Sequence, residues 1–451
     1  MKQFIQTLKN IWSIEDLRKR IIYSLGLILL YRFGSYVMLP GIDAGIYNQA
    51  ANVDSQSGLL GLINLFAGGG FSRASIFALG IMPYISASIA IQLLGIAVPY
   101  FARLQKEGES GRRKMNQYTR YLTVIVTALQ ASGYYAYLNT MSKNADFIVA
   151  PQGLFWFITV VILTAGTLFT MWMGERITDK GIGNGISMII MVGIIAGLPA
   201  ALVNEITHRG AASGGGFIPF LLEIAFLIVV IMGCILLVQG TRRIPVQYAK
   251  RVVGSRQYGG VRQYIPLKIN AAGVMPIIFA QALMFIPGLF AQINEDWQSS
   301  PVLVMLNDFQ SLGYNLIYGF LIVLFTYFYT AIIINPSQIA DDLKKNGGFI
   351  PGIKPGKKTS EFIDNVLSRI TLPGSIFLAL VAISPVLTRA FHVDPSFARF
   401  FGGTSLLIMV GVILDTLQQI ESHLLMRHYD GLMKSGRIKG RTNAPVSIQQ
   451  G

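Results

Sequence analysis

Cysteine and charge are both scarce in this sequence, and each shortage excludes a class of protein. Cys234 is the only cysteine, which rules out an intrachain disulfide and any metal site built from several cysteines. Charged residues make up 13% of the 451 residues and apolar residues 52%, whereas soluble domains are roughly a quarter charged. No polar stretch is long enough to form a separate soluble domain. This composition predicts a single membrane domain.

Catalytic motifs are missing as well. The four histidines, His208, His392, His423 and His428, lack the His-Glu-x-x-His spacing of a zinc enzyme. We find no nucleophile elbow and no phosphate-binding glycine loop. The segment that begins at Gly181, Gly-Ile-Gly-Asn-Gly, follows no predicted strand, so we interpret it as the turn that starts a helix. We therefore expect no enzymatic activity, no cofactor and no metal ion.

The sequence does contain ten apolar segments that are long enough to cross a bilayer, which takes about 20 helical residues. These predicted spans, numbered one to ten, cover residues 21–38, 74–98, 118–138, 153–173, 185–203, 216–239, 269–290, 315–334, 367–388 and 402–424. The first follows a basic stretch, but its length and the Leu-Pro-Gly-Ile-Asp sequence after it favour a span over a cleaved signal peptide.

Lysine and arginine residues fall almost entirely on one side of these spans. The N-terminus, the C-terminal tail and the loops after spans two, four, six and eight, with the adjoining helix ends, hold 31 of the 37. Such residues mark the cytoplasmic side, so we predict that residues 1–20 and 425–451 are cytoplasmic. A missed or invented span would invert every later loop, so this distribution supports ten spans. The opposite side holds Arg73, Lys143, Arg209, Arg389 and Arg399.

Two of the predicted cytoplasmic loops have unusual compositions. Loop 241–268 is basic, contains three tyrosines and has no acidic residue. It could contact RNA or a ribosome, contact anionic lipid, or serve only as the topology signal. Loop 335–368 contains a glycine- and proline-rich stretch at 347–356, which predicts an ordered turn rather than a helix and suits docking by a soluble partner.

The segment between spans one and two breaks the pattern. Residues 39–60 contain no lysine or arginine, and residues 61–71 are apolar but too short to cross the membrane. They form either a half-helix that enters from the outer face or a helix that lies on the outer surface, since backbone at membrane depth must be buried in protein or line a cavity.

Ionisable residues within the spans are few. They include Arg32, Glu223, Asp415 and Glu421, and we expect all but Asp415 to reach a membrane interface. An ion-coupled transporter would be expected to have more ionisable residues within its spans. Glycine and proline recur in spans two, seven and ten, together with uncharged polar residues such as Gln92 and Gln281. These polar residues indicate either hydrogen bonds between helices or a seam that opens.

Five stretches resemble the SecY family, the channel subunits of the bacterial protein translocon, and the similarity runs from about Ile14 to Lys439. The stretches are FSRASIFALGIMPYISASIAIQLL from Phe71, KEGESGRRK from Lys106, GERITDKGIGNGISMII from Gly174, FYTAIIINPSQIADDLKKNGGFIPGIKPG from Phe328 and FGGTSLLIMVGVILD from Phe401. The resemblance implies an all-α membrane protein whose ten helices form two pseudo-symmetric halves, 21–203 and 204–424, around two funnels that meet at a constriction.

Three groups of residues are implied by the same resemblance. The constriction is a ring of aliphatic side chains that resists wetting and deforms around a passing chain; its members are Ile81, Ile85, Ile190, Ile194, Ile278 and Ile408. The plug is the segment 61–71 with its flank, represented by Leu62, Asn64, Phe66, Gly68, Gly69, Gly70 and Arg73. The lateral gate, the seam between spans two, three, seven and eight, contains Ser86, Ser88, Gln92, Gln130, Gln281 and Ile286.

Partners are implied as well. The family exports unfolded, signal-bearing polypeptides across the bacterial inner membrane and releases membrane helices into lipid, driven by the SecA motor or a translating ribosome. SecE and SecG subunits, signal peptides, nascent chains, membrane lipids and, at loop 241–268, ribosomal RNA are the implied contacts. The implied docking residues are Arg242, Arg243, Lys250, Arg251, Arg256 and Lys354.

Position 354 departs from the family, in which many members have arginine there. Lysine keeps the charge but loses the planar fork that binds carboxylates, so docking through Lys354 is less secure than through the loop as a whole. Two other functions stay open: a secondary transporter of a small solute, and a peripheral ribosome-binding membrane protein without a pore.

Overall fold

Long helices make up most of the described chain. The computed structural model describes residues 14–48, 66–210, 217–248, 251–253, 256–258, 262–281, 283–284, 311–387, 393–398 and 403–434, with Trp12, Asn64, Met305 and Phe400. The helices are α1 Glu15–Gly34, α2 Met82–Ala97, α3 Pro99–Lys106, α4 Glu109–Ala145, α5 Gln152–Lys180, α6 Gly185–Gly210, α7 Phe217–Gln239, α8 Leu312–Ile333, α9 Pro336–Lys345, α10 Lys357–Leu387, α11 Pro395–Ala398 and α12 Gly403–Lys434.

Six helices in the described ranges are long and apolar enough to cross a membrane, and a bent pair raises this number to seven if it counts as one crossing. The six are Gln152–Lys180, Gly185–Gly210, Ile218–Gln239, Leu312–Lys345, Lys357–Val386 and Gly403–Leu424, which match spans four, five, six, eight, nine and ten. Spans one and three fall on α1 and α4. Span seven is described only over residues 269–281 and 283–284, where 275–281 are helical.

Span two differs from its prediction over 74–98. Its helix, α2, begins only at Met82, and residues 67–81 are mostly turns. Gly80 has a φ of +54° and Pro83 lies in the first turn of α2, and both features favour a helix start at this point. At the other end, Pro99 lacks the N–H that would continue α2, and α3 leaves at an angle of 101°.

The two unusual loops come together in one folded unit, called here the sheet unit. Loop 241–268 forms β1 Thr241–Tyr248, β2 Arg251–Val253, β3 Arg256–Tyr258 and β4 Arg262–Lys268, and the second loop adds β5 Gly348–Phe349. Strand β1 pairs antiparallel with β4 and with β5, with Gln247 opposite Phe349. The predicted turn over 347–356 is confirmed, since helix α9 ends at Lys345 and α10 begins at Lys357.

The sheet unit has its own apolar core, separate from that of the helical body. Ile244 and Val246 of β1 pack with Leu343 of α9, Ile350 and Ile363. The larger core lies between α2, α6, α7, α8, α10, α12 and residues 272–284. Apolar side chains on α7, such as Ile218 and Leu236, are exposed, as expected of a surface that faces lipid.

Candidate pore and gate

The predicted ring residues come together in the larger apolar core. Ile81 precedes α2, Ile85 lies on its first turn, Ile190 and Ile194 lie one turn apart on α6, and Ile408 lies on α12; all five are buried. Ile278 is partly buried and packs against the same core. Aliphatic side chains from both predicted halves therefore belong to one apolar core.

A polar cavity lies next to this apolar region. It has a volume of about 520 Å³ and is lined by Asn184, Asp415, Gln418, Gln419, Ser422 and His423. Asp415, the ionisable residue deepest in span ten, lines this cavity two turns after Ile408, which gives its carboxylate a polar environment at that depth. Asn184 also caps α6, because its Oδ1 accepts the N–H groups of Ile186 and Ser187 at 3.1 and 3.3 Å.

The predicted plug segment packs against α6, the helix that carries two of the predicted ring residues. Phe66 is buried in the same core, and a Cβ atom added to Gly68 would lie 3.0 Å from the Cα of Gly193. Gly193 lies between Ile190 and Ile194 on α6, so the turn at Gly68 rests on the helix that carries two ring residues. Within the expected half-helix over 61–71, the described residues Asn64 and Phe66 are helical, whereas residues 67–71 form turns, because Gly68 and Gly69 have φ values of +63° and +81°.

Two arginines hold this turn. Arg32 Nη1 of α1 donates to the Gly68 carbonyl oxygen at 2.6 Å, and Arg73 Nη2 donates to the same oxygen at 2.7 Å. Arg73 Nε also donates to the Gly69 carbonyl at 2.9 Å. Both guanidinium groups lie over the ring of Tyr36, at 4.9 and 4.1 Å from its centroid. The sequence predicts only that Arg32 reaches an interface, whereas the structure shows it bound to the Gly68 carbonyl. We call Arg32 and Arg73, with these hydrogen bonds, the arginine clamp.

Further contacts fix the ends of the segment. Asn64 Oδ1 accepts the N–H of Ser72 at 3.0 Å, and the hydroxyl of Tyr134 donates to the Phe71 carbonyl at 2.7 Å. The hydroxyl of Tyr47 donates to the Ser72 carbonyl at 3.1 Å, and burial raises its pKa far above the ordinary value, so it stays a donor. The outer flank is anchored by neutral groups and the turn by charged ones. Leu62 lies outside the described residues.

A hydrogen bond between described residues crosses the predicted gate. The hydroxyl of Tyr329, on α8, donates to Gln92 Oε1 on α2, and Gln92 Nε2 donates to Ser88 Oγ at 3.1 Å. The sequence analysis did not select Tyr329. The one feature that could have indicated it is its position on an apolar span, one turn before the end of α8. The ring of Phe279, from span seven, stacks edge-on against Tyr329 with centroids 5.0 Å apart, so Tyr329 connects both sides of the seam.

The other predicted gate residues contribute less to the seam or lie outside the described residues. The Ser86 hydroxyl donates within its own helix to Met82 O at 3.2 Å, and Gln130 is half-buried on α4. Gln281 is buried, and its Oε1 has no hydrogen-bond partner among the described residues. Ile286 lies outside the described residues.

Only some of the predicted docking residues lie in the part of the chain that the structure describes. Arg242 and Arg243 are exposed on β1, and Lys354 is exposed on the turn before α10, where its carbonyl accepts the Thr359 hydroxyl at 3.0 Å. Arg251 and Arg256 lie on β2 and β3. Lys250 lies outside the described residues.

Comparison with known proteins identifies the family of this chain. The family model described as SecY matches residues 75–417. The protein translocase subunit SecY of Streptomyces scabiei is 44% identical over 94% of this chain and 98% of its own length. That of Corynebacterium glutamicum is 43% identical over 96% of this chain and 100% of its own length.

Solved structures share the fold at low sequence identity. A structure described as that of a protein conducting channel has a TM-score of 0.59, is 15% identical and covers 94% of this chain and 95% of its own. Sec61 in a canine ribosome-channel complex has a TM-score of 0.55 at 15% identity, with the same coverage. Because the family model matches residues 75–417 and these relatives are 43–44% identical over at least 94% of the sequence, this chain belongs to the SecY family.

Proposed function

We propose that this chain forms the protein-conducting pore of a bacterial translocase, through which unfolded, signal-bearing polypeptides cross the inner membrane and from which new membrane helices enter lipid. The observation that carries the proposal is the burial of Ile81, Ile85, Ile190, Ile194 and Ile408 in one apolar core, with the turn at Gly68 against α6. In this proposal the isoleucines form the closure of the pore. Such a closure offers no ligand to a hydrated ion, yet side chains can move apart for a polypeptide of any sequence.

Ten spans, with both termini cytoplasmic, belong to this proposal. The one-sided distribution of lysine and arginine supports the number and the orientation. The two loops of the sheet unit follow spans six and eight. Because both numbers are even, the sheet unit lies on the same side of the membrane as the N-terminus, where a motor or a ribosome would work.

The plug and the gate have separate roles in the proposed cycle. The segment 61–71 with its arginine clamp closes the outer funnel at rest, and the Gln92–Tyr329 hydrogen bond closes the seam between spans two and eight. A signal peptide that enters the seam replaces this bond with apolar contacts. The plug then moves when the passing chain breaks the clamp.

Partners follow from the exposed surfaces. We propose that SecA or a translating ribosome docks on the sheet unit through Arg242, Arg243 and Lys354, all of which are exposed. Since β1 pairs with β5, a partner that moves one loop also moves the other. The unit rests directly on α10 through Ile363, so docking can reach the helical body. SecE and SecG are the proposed membrane subunits.

The experiment is reconstitution of the purified complex in proteoliposomes. We expect SecA- and ATP-dependent import of a precursor that carries a signal peptide and no import of the same precursor without one. Saturable flux of a small solute, with no precursor import, would support the transporter alternative and remove this proposal.

A further inference from the structure

Asp415 is the ionisable residue deepest in span ten, and neither the ring, the plug nor the gate uses it. It follows Ile408 by seven residues on α12, so the two side chains lie on the same face of the helix, about 10 Å apart along its axis. Gln418, Gln419 and Ser422 continue this face toward the end of the span. The face of α12 that carries a ring residue therefore becomes polar and acidic beyond it.

This polar face borders the cavity of about 520 Å³. Across the cavity lies Asn184, which caps the start of α6, the helix that carries Ile190 and Ile194. Gln419 connects the two helices, because its Oε1 accepts the backbone N–H of Gly183 at 2.9 Å. The cavity therefore lies between the two helices that supply three of the ring residues, toward the end of span ten that we predict to be cytoplasmic.

The charge of the lining has one sign. Within the part of the chain that the structure describes, no lysine or arginine lines the cavity and no ion pair includes Asp415. An ionisable side chain that lies within a span and faces a polar cavity marks the path of an ion or a substrate. The adjoining cavity, which shares His423, is lined by lysine, arginine and aspartate together, so it has no comparable preference for cations.

A cationic side chain suits this lining better than a metal ion does. No group of three or more histidine, cysteine, aspartate or glutamate side chains among the described residues could hold a metal ion. Ammonium and guanidinium groups supply only hydrogen-bond donors, which complement the carboxylate, amide and hydroxyl oxygens of the lining. A polypeptide that reaches the ring from the cytoplasmic side passes this face of α12 first, so its lysine and arginine side chains meet Asp415 before they meet Ile408.

We propose that Asp415, with Gln418 and Gln419, binds the lysine and arginine side chains of a polypeptide before they enter the ring. A basic segment then stays longer on the cytoplasmic side than a neutral or acidic segment of the same length. Asp415 is in this way a specificity-determining residue for the transported chain. This inference rests on the proposed function, because it names a feature of the substrate that the same pore recognises.

The test measures disulfide formation in the purified complete complex, with Cys234 replaced by serine and a reporter cysteine introduced by Ser422→Cys. A precursor with one cysteine is arrested partway through the membrane by a folded domain at its C-terminus. Beside that cysteine the precursor carries lysine, glutamine or glutamate, and the disulfide yield is divided by the amount of arrested precursor. One charge pair in a partly hydrated site corresponds to a preference of roughly threefold to fivefold, so the lysine precursor should exceed the glutamine precursor by this factor. The glutamate precursor should give the lowest yield.

Substitutions of Asp415 separate recognition of charge from a structural role. Asp415→Asn should give equal yields for the lysine and glutamine precursors, and Asp415→Lys should reverse the order, so that the glutamate precursor gives the highest yield. Glu421→Gln is the matched control, since Glu421 is exposed on the same helix and is not among the residues that line the cavity. This control should keep the order of the parent complex.

Contrary results are equally distinct. Equal yields for the three precursors in the parent complex would overturn the proposal, and this comparison needs no variant of Asp415 to fold. An unchanged order in Asp415→Asn, or an order that is lost to the same extent in Glu421→Gln, would also overturn it, because the preference would then not come from this cavity. If the parent complex imports no signal-bearing precursor, the proposed function is wrong and this inference falls with it. Import with equal disulfide yields removes only the role of Asp415.

Discussion

Removal of the Tyr329 hydroxyl tests the gate with the smallest possible change. Tyr329→Phe keeps the aromatic contact with Phe279 and deletes only the donor to Gln92. A hydrogen bond of this type contributes roughly 0.5–1.5 kcal/mol net. Because the bond spans the closed seam, its loss should raise the ratio of open to closed resting channels roughly twofold to tenfold.

The assay is resting ion conductance of the purified complex in planar bilayers, paired with export of a precursor whose signal peptide is defective. Both should rise in Tyr329→Phe. The matched control is Tyr327→Phe on the same helix, whose hydroxyl donates to the Ser368 carbonyl at 3.3 Å in an exposed position away from the seam. We expect this control to behave like the parent protein.

A double variant decides whether the two residues act through each other. Replacing Gln92 by methionine in the Tyr329→Phe background removes both partners, which is often close to neutral relative to leaving one partner unpaired. The double variant should therefore leak no more than Tyr329→Phe alone. Fully additive effects of the two substitutions, or equal leakage from Tyr327→Phe, would refute the assignment of this bond as the gate contact.

Three further substitutions test the plug and the sheet unit. Arg73→Met removes two charged hydrogen bonds to the plug turn, each about 1.5–3 kcal/mol, so resting conductance should rise at least tenfold; an unchanged value would contradict the clamp. Gly68→Ala places a Cβ at a φ of +63° against α6, at a cost of about 1–2 kcal/mol, and should raise conductance severalfold, whereas Gly26→Ala, with nothing within 4 Å, should not. Val246→Ala should destabilise the sheet unit by roughly 2 kcal/mol and speed its limited proteolysis, while Tyr264→Ala, at a position 56% exposed, should not.

The membrane segments that sequence predicts best are those with a simple apolar pattern. Spans four, five, six, eight, nine and ten match described helices, because continuous apolar runs leave the backbone no alternative in lipid. The predicted start of span two is wrong, because the apolar pattern does not show that Gly80 turns the chain and that α2 begins only at Met82. The spacing of Ile190 and Ile194 was readable, but their convergence with Ile408 depends on how distant helices pack.

The polar contacts were the hardest part to predict. Gln92 was a candidate from its position, but its partner Tyr329 lies 237 residues away, and no local rule connects them. The sequence predicts that Arg32 and Glu223 reach interfaces, but it does not predict that Arg32 binds the Gly68 carbonyl or that Glu223 is buried and pairs with Arg209. Strands β1 and β4 pair within loop 241–268, but the third strand is Gly348–Phe349 of the second loop, so neither loop alone indicates the three-stranded sheet.

Site-specific photocrosslinking from the ring to an arrested precursor tests the central claim most directly. A photoreactive residue at Ile194, buried at the closure, should crosslink to a precursor stalled partway through the membrane, whereas one at Leu236, 71% exposed on the surface of α7, should crosslink to lipid. Strong crosslinks to the precursor from Leu236 and none from Ile194 would show that the polypeptide does not pass through this ring.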